Sequence, residues 1–293
     1  MPNWKNEIIC LLLRVTGIPW LLRELYARHK VTIINYHDPA PDVFEKHMQL
    51  FSRSYSFIHI ADLAAALEEK DFSDLPAKPL LVTLDDGHKG NARLFGIIKK
   101  YKVPAVLYVT AGVVNSNRHF WFKLTNLNKL QIDNLKNIPD DERREWLKGN
   151  LGHEDDREYK TSHALSLDEL RQAISIGGTI ASHTLFHPEL DKCSDEVGLK
   201  ECSESRSCLE ALVGKPVQHF AYPSGGKDER TKKWLIQAGY RTARTIHSGW
   251  ITVESNPLKL PNFGISDNAG INKAIVQTSG LWDMIKNMFK SKK

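Results

Sequence analysis

The stretch Leu80-Leu81-Val82-Thr83-Leu84-Asp85-Asp86-Gly87 decides how this chain is read. An apolar run ends abruptly in two adjacent carboxylates and a glycine. This is the pattern of a buried strand whose C-terminal end carries chemistry, as parallel α/β folds arrange it. Two neighbouring carboxylates repel each other when both are ionised, and a cation beside them relieves the repulsion. About a hundred residues on, Ser182-His183-Thr184-Leu185-Phe186-His187-Pro188 follows a second apolar stretch, Thr179 to Ala181. One carboxylate with two imidazoles suits a divalent transition metal that keeps open positions for water and substrate. Each half alone has an ordinary explanation. Asp is a favoured helix-start residue, so one of the pair can cap a helix near Gly90 to Lys100. With 12 His among 293 residues, about 0.5 His-x-x-x-His pairs arise by chance. A cap accounts for one Asp rather than two, and the joint pattern at two strand ends carries the weight.

At these residues the chain resembles the polysaccharide deacetylases of the NodB-homology type, carbohydrate esterase family four. That family carries Thr-Phe-Asp-Asp-Gly and His-Ser/Thr-x-x-His-Pro motifs, which stand here as Thr83-Leu84-Asp85-Asp86-Gly87 and His183-Thr184-Leu185-Phe186-His187-Pro188. The resemblance implies that Asp85 is the catalytic base and that Asp86, His183 and His187 bind a metal. It also implies a distorted (β/α)7 barrel. Two family features are missing. The Arg expected before the Pro-x-Gly turn is absent from Phe220-Ala221-Tyr222-Pro223-Ser224-Gly225-Gly226. The late Leu-x-His motif, the usual source of the general acid, has no His in Leu258 to Gly264. The turn at Tyr222, Ser224 and Gly225 remains as an oxyanion and substrate-binding element, with a backbone N–H facing the developing charge. His37, ending the run Val31 to Tyr36, resembles the Tyr-His element of the poly-N-acetylglucosamine deacetylase branch, which implies a general-acid role; His247 is the alternative.

Alternating apolar runs and helical patterns support a parallel, closed or nearly closed sheet. The expected strands are Val31–Tyr36, Leu80–Asp85, Ala105–Thr110, Thr179–Ser182, Gln218–Tyr222, Tyr240–Thr245 and Leu258–Pro261. Nearly seventy residues separate Thr110 from Thr179, far more than a plain βα connection needs. This long helical insertion opens with Phe120, Trp121 and Phe122, of which Trp121 is a candidate sugar platform; the alternative is a small core of the insertion's own. It closes with a capping-box signature at Ser166 to Glu169. The expected division is an amphipathic N-terminal region over 1–30, a barrel over 31–265 with insertion 115–165, and a C-terminal helix and basic tail over 266–293.

Composition describes a folded enzyme, 41% hydrophobic and long enough for one large domain. The four Cys lack metal or disulfide-framework spacing and read as free thiols. The net charge of +5 sits at the tails: residues 1–30 and 281–293 each carry +3, leaving the body at −1. That distribution excludes a nucleic-acid enzyme, which needs a basic stripe on its body. Both tails pair apolar residues with Lys and Arg (Leu281, Trp282, Ile285, Met288 and Phe289 at the C-terminal end). They suit either an anionic membrane surface or packing on the barrel. No secretory signal pattern is recognisable, which sets an expectation of a cytoplasmic protein or one peripheral to the inner face of the membrane.

The expected reaction is metal-dependent hydrolysis of an N-acyl group, foremost N-acetyl, on an amino sugar in a polymer or lipid-linked saccharide, as in exopolysaccharide modification. Zinc is the default metal, with cobalt or nickel as alternatives. The competing expectations are a deformylase or cyclic-amide hydrolase on the same site, a carbohydrate-binding member without turnover, and a membrane-associated scaffold.

Overall fold

The computed structural model describes residues 4–290, with side chains through Met288. Phe289 and the terminal lysines Lys290, Lys292 and Lys293 therefore lie outside the described side chains. Eight strands form one sheet: β1 Thr32–Tyr36, β2 Ser56–Phe57, β3 Pro79–Asp86, β4 Val106–Val109, β5 Thr179–Ser182, β6 His219–Ala221, β7 Thr242–Arg244 and β8 Phe263–Gly264. Their order is β7-β6-β5-β4-β3-β1-β8, all pairings are parallel, and β2 pairs with the start of β3. Phe263 and Gly264 pair with β1 while Leu260 bridges Arg244 of β7, so the seven principal strands curl into a distorted (β/α)7 barrel. β1, β3 and β4 are buried along their whole length, as strands covered on both faces should be.

The last strand departs from expectation. Pro257–Lys259 forms a short 3-10 turn, Leu260 makes a single bridge, and the ladder resumes only at Phe263. Pro257 and Pro261 have no N–H to donate, so a continuous ladder over Leu258–Pro261 is not available. β2 was not expected; two half-buried residues leave no readable alternation.

The connection between β4 and β5 contains helices Lys129–Leu135 and Asp140–Leu151 around a small core of Trp121, Leu135 and Leu147. It ends in the expected capping box, with Ser166 and Glu169 exchanging hydrogen bonds at the start of helix Leu167–Ser175. The insertion is tied to the barrel by buried charge. Arg144 pairs with Asp140 at 2.7 Å, with Asp155, and with Glu201 of helix Asp195–Val213 at 3.1 Å. The other Glu201 oxygen accepts the N–H groups of Leu185 and Phe186, both at 2.9 Å, holding the loop between His183 and His187.

At the N-terminus, helix Trp4–Val15 packs Cys10 and Leu13 against Val276 and Leu281. The Glu7 carboxylate meets Gly270 at the start of helix Ile271–Thr278, where exposed N–H dipoles favour negative charge. All four cysteines are free.

Glu201 is 3% exposed, and burial is the main reason its carboxyl is pushed up to about 7; the Phe186 N–H and Arg144 only partly oppose that shift. A carboxyl raised in the folded state costs stability as pH climbs from its ordinary value near 4.5 to about 7. Glu201→Gln keeps an acceptor for the two loop N–H groups without the charge. Thermal melts across this range should show Glu201→Gln gaining on wild type as pH rises; a constant difference in melting temperature would contradict the buried, titrating carboxyl.

Candidate active site

The parallel register sets chemistry-bearing residues level with one another at the mouth of the barrel. Asp85 and Asp86 stand opposite Tyr108 and Val109, Val109 stands opposite Ser182, and His183 follows. Asp86 has φ +70, and Gly87 follows at φ +78. A Cβ at Gly87 would lie 2.8 Å from Val109 Cγ1, so only glycine allows the strand to turn here. Thr184 and His187 also have positive φ, at +67 and +60. Thr184 is fixed in that strained form, its hydroxyl donating to the His183 carbonyl and accepting the His187 N–H.

Asp86 Oδ1 lies 3.5 Å from His183 Nε2 and 3.4 Å from His187 Nε2, and all three residues are buried. His183 Nδ1 is 2.8 Å from the Ala221 carbonyl and can only donate there, which leaves Nε2 with its lone pair turned inward. Burial holds the pKa of both imidazoles below the ordinary histidine value, keeping them neutral. Burial would raise the Asp86 carboxyl, but its hydrogen bond from His88 and the three surrounding histidines bring it well below the usual range. An anionic oxygen facing the Nε2 atoms of two neutral imidazoles, one with its lone pair fixed inward, is a donor set that fits a divalent ion.

Asp85 is held differently. Its Oδ2 accepts from Arg244 Nη2 at 2.5 Å and from Asn35 Nδ2 at 3.4 Å, while Oδ1 has no protein partner. Arg244 is buried at the end of β7, over the Tyr108 ring at 5.2 Å. Rotated to satisfy its hydrogen bonds, the Asn262 amide offers its oxygen to Arg244 Nη1 at 2.9 Å. The Arg missing ahead of Pro223 is thus supplied from the next strand. A lone Arg in an apolar strand gives no motif; the available signal was a charge at the inward end of Tyr240–Thr245.

His88, which the sequence did not single out, places Nε2 2.8 Å from Asp86 Oδ2 and Nδ1 3.2 Å from Lys123 Nζ. The ammonium can only donate, so His88 carries its proton on Nε2 and donates to Asp86. His37 stands exposed at the end of β1, its N–H bonded to Asp267 and its carbonyl to Asn91. His247 Nε2 instead lies 2.7 Å from Lys227 Nζ, and burial followed by Lys227 and Lys259 lowers its pKa.

Other expected contacts fall elsewhere. Trp121 is 1% exposed, its ring under Arg143 at 4.7 Å and its indole N–H bonded to the His187 carbonyl at 3.0 Å. It therefore braces the His187 loop and presents no open ring face; half-buried Phe122, 4.5 Å from the His187 ring, is the aromatic nearer the mouth. Tyr222 is buried and donates to the Leu258 carbonyl. Within the turn, the Gly225 N–H is bonded to Tyr222 O, and the Ser224 hydroxyl accepts from Lys136 at 2.7 Å.

The polysaccharide deacetylase family profile matches residues 73–243, more than half of the chain. A curated relative, YxkH of Bacillus subtilis (strain 168), bears a polysaccharide deacetylase name and is 22% identical over 242 residues, covering 78% of this chain and 68% of the relative. The fold is similar to Streptococcus pyogenes deacetylase PplD in complex with acetate, with TM-score 0.63, 19% identity and coverage of 85% of this chain and 98% of that one. IcaB from Ammonifex degensii gives TM-score 0.60 at 17% identity, covering 86% and 97%. The de-N-acetylase from Aggregatibacter actinomycetemcomitans gives 0.61 at 14%, covering 83% and 98%. With the matched segment running from just before β3 through most of β7, and so through both acidic and histidine motifs, the chain belongs to the polysaccharide deacetylase family and is a carbohydrate deacetylase.

Proposed function

We propose that this deacetylase removes an N-acyl group, foremost N-acetyl, from an amino sugar in a polymer or a lipid-linked saccharide, and that it does so with a divalent metal. The observation that carries this reading is the buried cluster of Asp86, His183 and His187 beside an Asp85 whose only unpartnered oxygen is Oδ1. The three clustered residues would hold the ion, with zinc the first choice and cobalt or nickel alternatives. Such an ion polarises the amide carbonyl and acidifies the attacking water.

The chain's own residues supply the rest. Arg244 and Asn35 fix Asp85 through Oδ2, which leaves Oδ1 to take the proton from water. The Ser224 N–H faces charge developing on the carbonyl oxygen. His37 delivers a proton to the departing amine, which leaves poorly without one. Its main chain is pinned on both sides while its ring stays free, whereas the accepting nitrogen of His247 is taken up by Lys227. The fixed base argues for turnover over a carbohydrate-binding role without catalysis.

Assaying bound metal together with amine release from N-acetylated oligosaccharides tests this reading. Purified protein is expected to hold about one divalent ion, and Asp86→Ala, His183→Ala or His187→Ala should each strip most of it. Full metal retention by His187→Ala would remove that residue from the site. Asp85→Asn should abolish turnover with metal kept, and Arg244→Gln should lower kcat roughly 10²-fold or more with metal kept. An active Asp85→Asn enzyme would mean that the base lies elsewhere.

For the acid, His37→Ala should lose turnover on N-acetylated sugar with metal intact and recover partly on a substrate with a better leaving group, while His247→Ala loses much less. Near-wild-type activity of His37→Ala would assign the proton to another group.

A further inference from the structure

Of sixteen exposed large hydrophobic side chains among the described residues, eleven lie within residues 4–26. In helix Trp4–Val15, Trp4, Ile8, Leu11, Leu12 and Val15 recur at helical spacing on one face, opposite the side where Cys10 and Leu13 pack on the barrel. Beyond the break at Gly17, Trp20 and Leu25 are exposed as well. Isolated exposed apolar side chains are ordinary on a soluble protein; a continuous helical face of them is not.

The charges around this face have one sign. Lys5, Arg14 and Arg28 are exposed, whereas the two acids of the segment are turned away or paired: Glu7 is half-buried against Gly270, and Glu24 pairs with Arg23, Arg28 and Lys78. Trp4, Trp20 and Tyr26 are exposed among them, the residue types that settle at a headgroup boundary. No helix of the described residues is long and apolar enough to cross a membrane. An apolar stripe bordered by cations and aromatics suits an anionic lipid surface, with the helix lying in its plane.

The position of the face relates it to catalysis. Asp267 accepts the N–H groups of His37 and Asp38 at 3.0 Å each, at the mouth end of β1. Three residues later Gly270 packs on Glu7, so the inner side of helix Trp4–Val15 reaches the rim of the mouth. Residues 20–26 lie toward the opposite end of the strands, where Glu24 pairs with Lys78 just before β3, so the face runs along the flank of the barrel. We propose that residues 4–26 seat this flank on an anionic membrane surface, with the Glu7 end nearer the mouth, where the enzyme meets a glycan still attached to a lipid. The choice of glycan rests on the deacylase reading above; the docking itself does not.

Co-sedimentation with vesicles containing phosphatidylglycerol, and with phosphatidylcholine vesicles alone, tests the docking with the full chain. Wild type should pellet with the anionic vesicles and be released by raised salt. Leu12→Glu with Trp20→Glu, both at exposed positions, should bind roughly tenfold or more weakly while keeping the wild-type melting temperature. The same variant should retain turnover of a soluble N-acetylated oligosaccharide yet lose it on that oligosaccharide carried by a lipid in vesicles. Wild type remaining in the supernatant, or equal pelleting of the variant, would overturn the proposal. So would a dimer that forms through this face without vesicle binding, which would make a second copy its occupant. Failure on the soluble sugar alone would count against the deacylase reading and leave the docking standing.

Discussion

Two adjacent carboxylates buried at one strand end set the terms for the rest of the barrel mouth. In a low-dielectric interior each charge must be met by its own partners, and Asp85 and Asp86 are met in opposite ways. Asp85 is tied by the fixed cation of Arg244, with an amide alongside, so its geometry is rigid. Asp86 sits among three imidazoles, with His183 turning a lone pair inward and His88 donating a proton. One acid is thereby left with a single unpartnered oxygen, and the other faces a cluster of imidazoles. Neighbours in sequence become different chemical groups because the chain leaves extended backbone at Asp86, which turns its carboxylate away from that of Asp85 and toward the histidines.

The loops that finish the site are held against their own preferences. Asp86, Thr184 and His187 occupy left-handed backbone that ordinary side chains avoid. The surroundings enforce it: the Thr184 hydroxyl links its two histidine neighbours, Glu201 takes two loop N–H groups, and Trp121 takes the His187 carbonyl. Arg143 and Arg144 stand behind Trp121 and Glu201 in turn.

The parts readable from sequence are those whose signal is local. The Ser166 cap sits where its spacing put it, and the acidic and histidine motifs converge. Arg244 was not legible because its role arises from a strand neighbour across the sheet. Glu201 was masked by its setting, since a Glu on a charged helix normally faces water. Trp121 was an aromatic whose partner, a backbone carbonyl sixty-six residues away, leaves no trace in spacing. β8 shifted because two prolines decide where donors are available, which an apolar run does not reveal.

The junction of Arg144 with buried Asp140 and Glu201 bears on how this family member can diverge. Long loops at a barrel mouth are usually the exchangeable part of the fold, varied to suit new substrates while the scaffold stays fixed. Here the same segment supplies Trp121, Arg143 and Arg144 to the supports of the histidine loop. Grafting a relative's loop in its place would leave Glu201 buried without its cation and the His187 carbonyl without its donor. The region most open to substrate adaptation is therefore coupled to the histidine loop. Changes of specificity should arise more readily by point substitution along its rim, at Phe122 or Lys136, than by exchange of the whole loop.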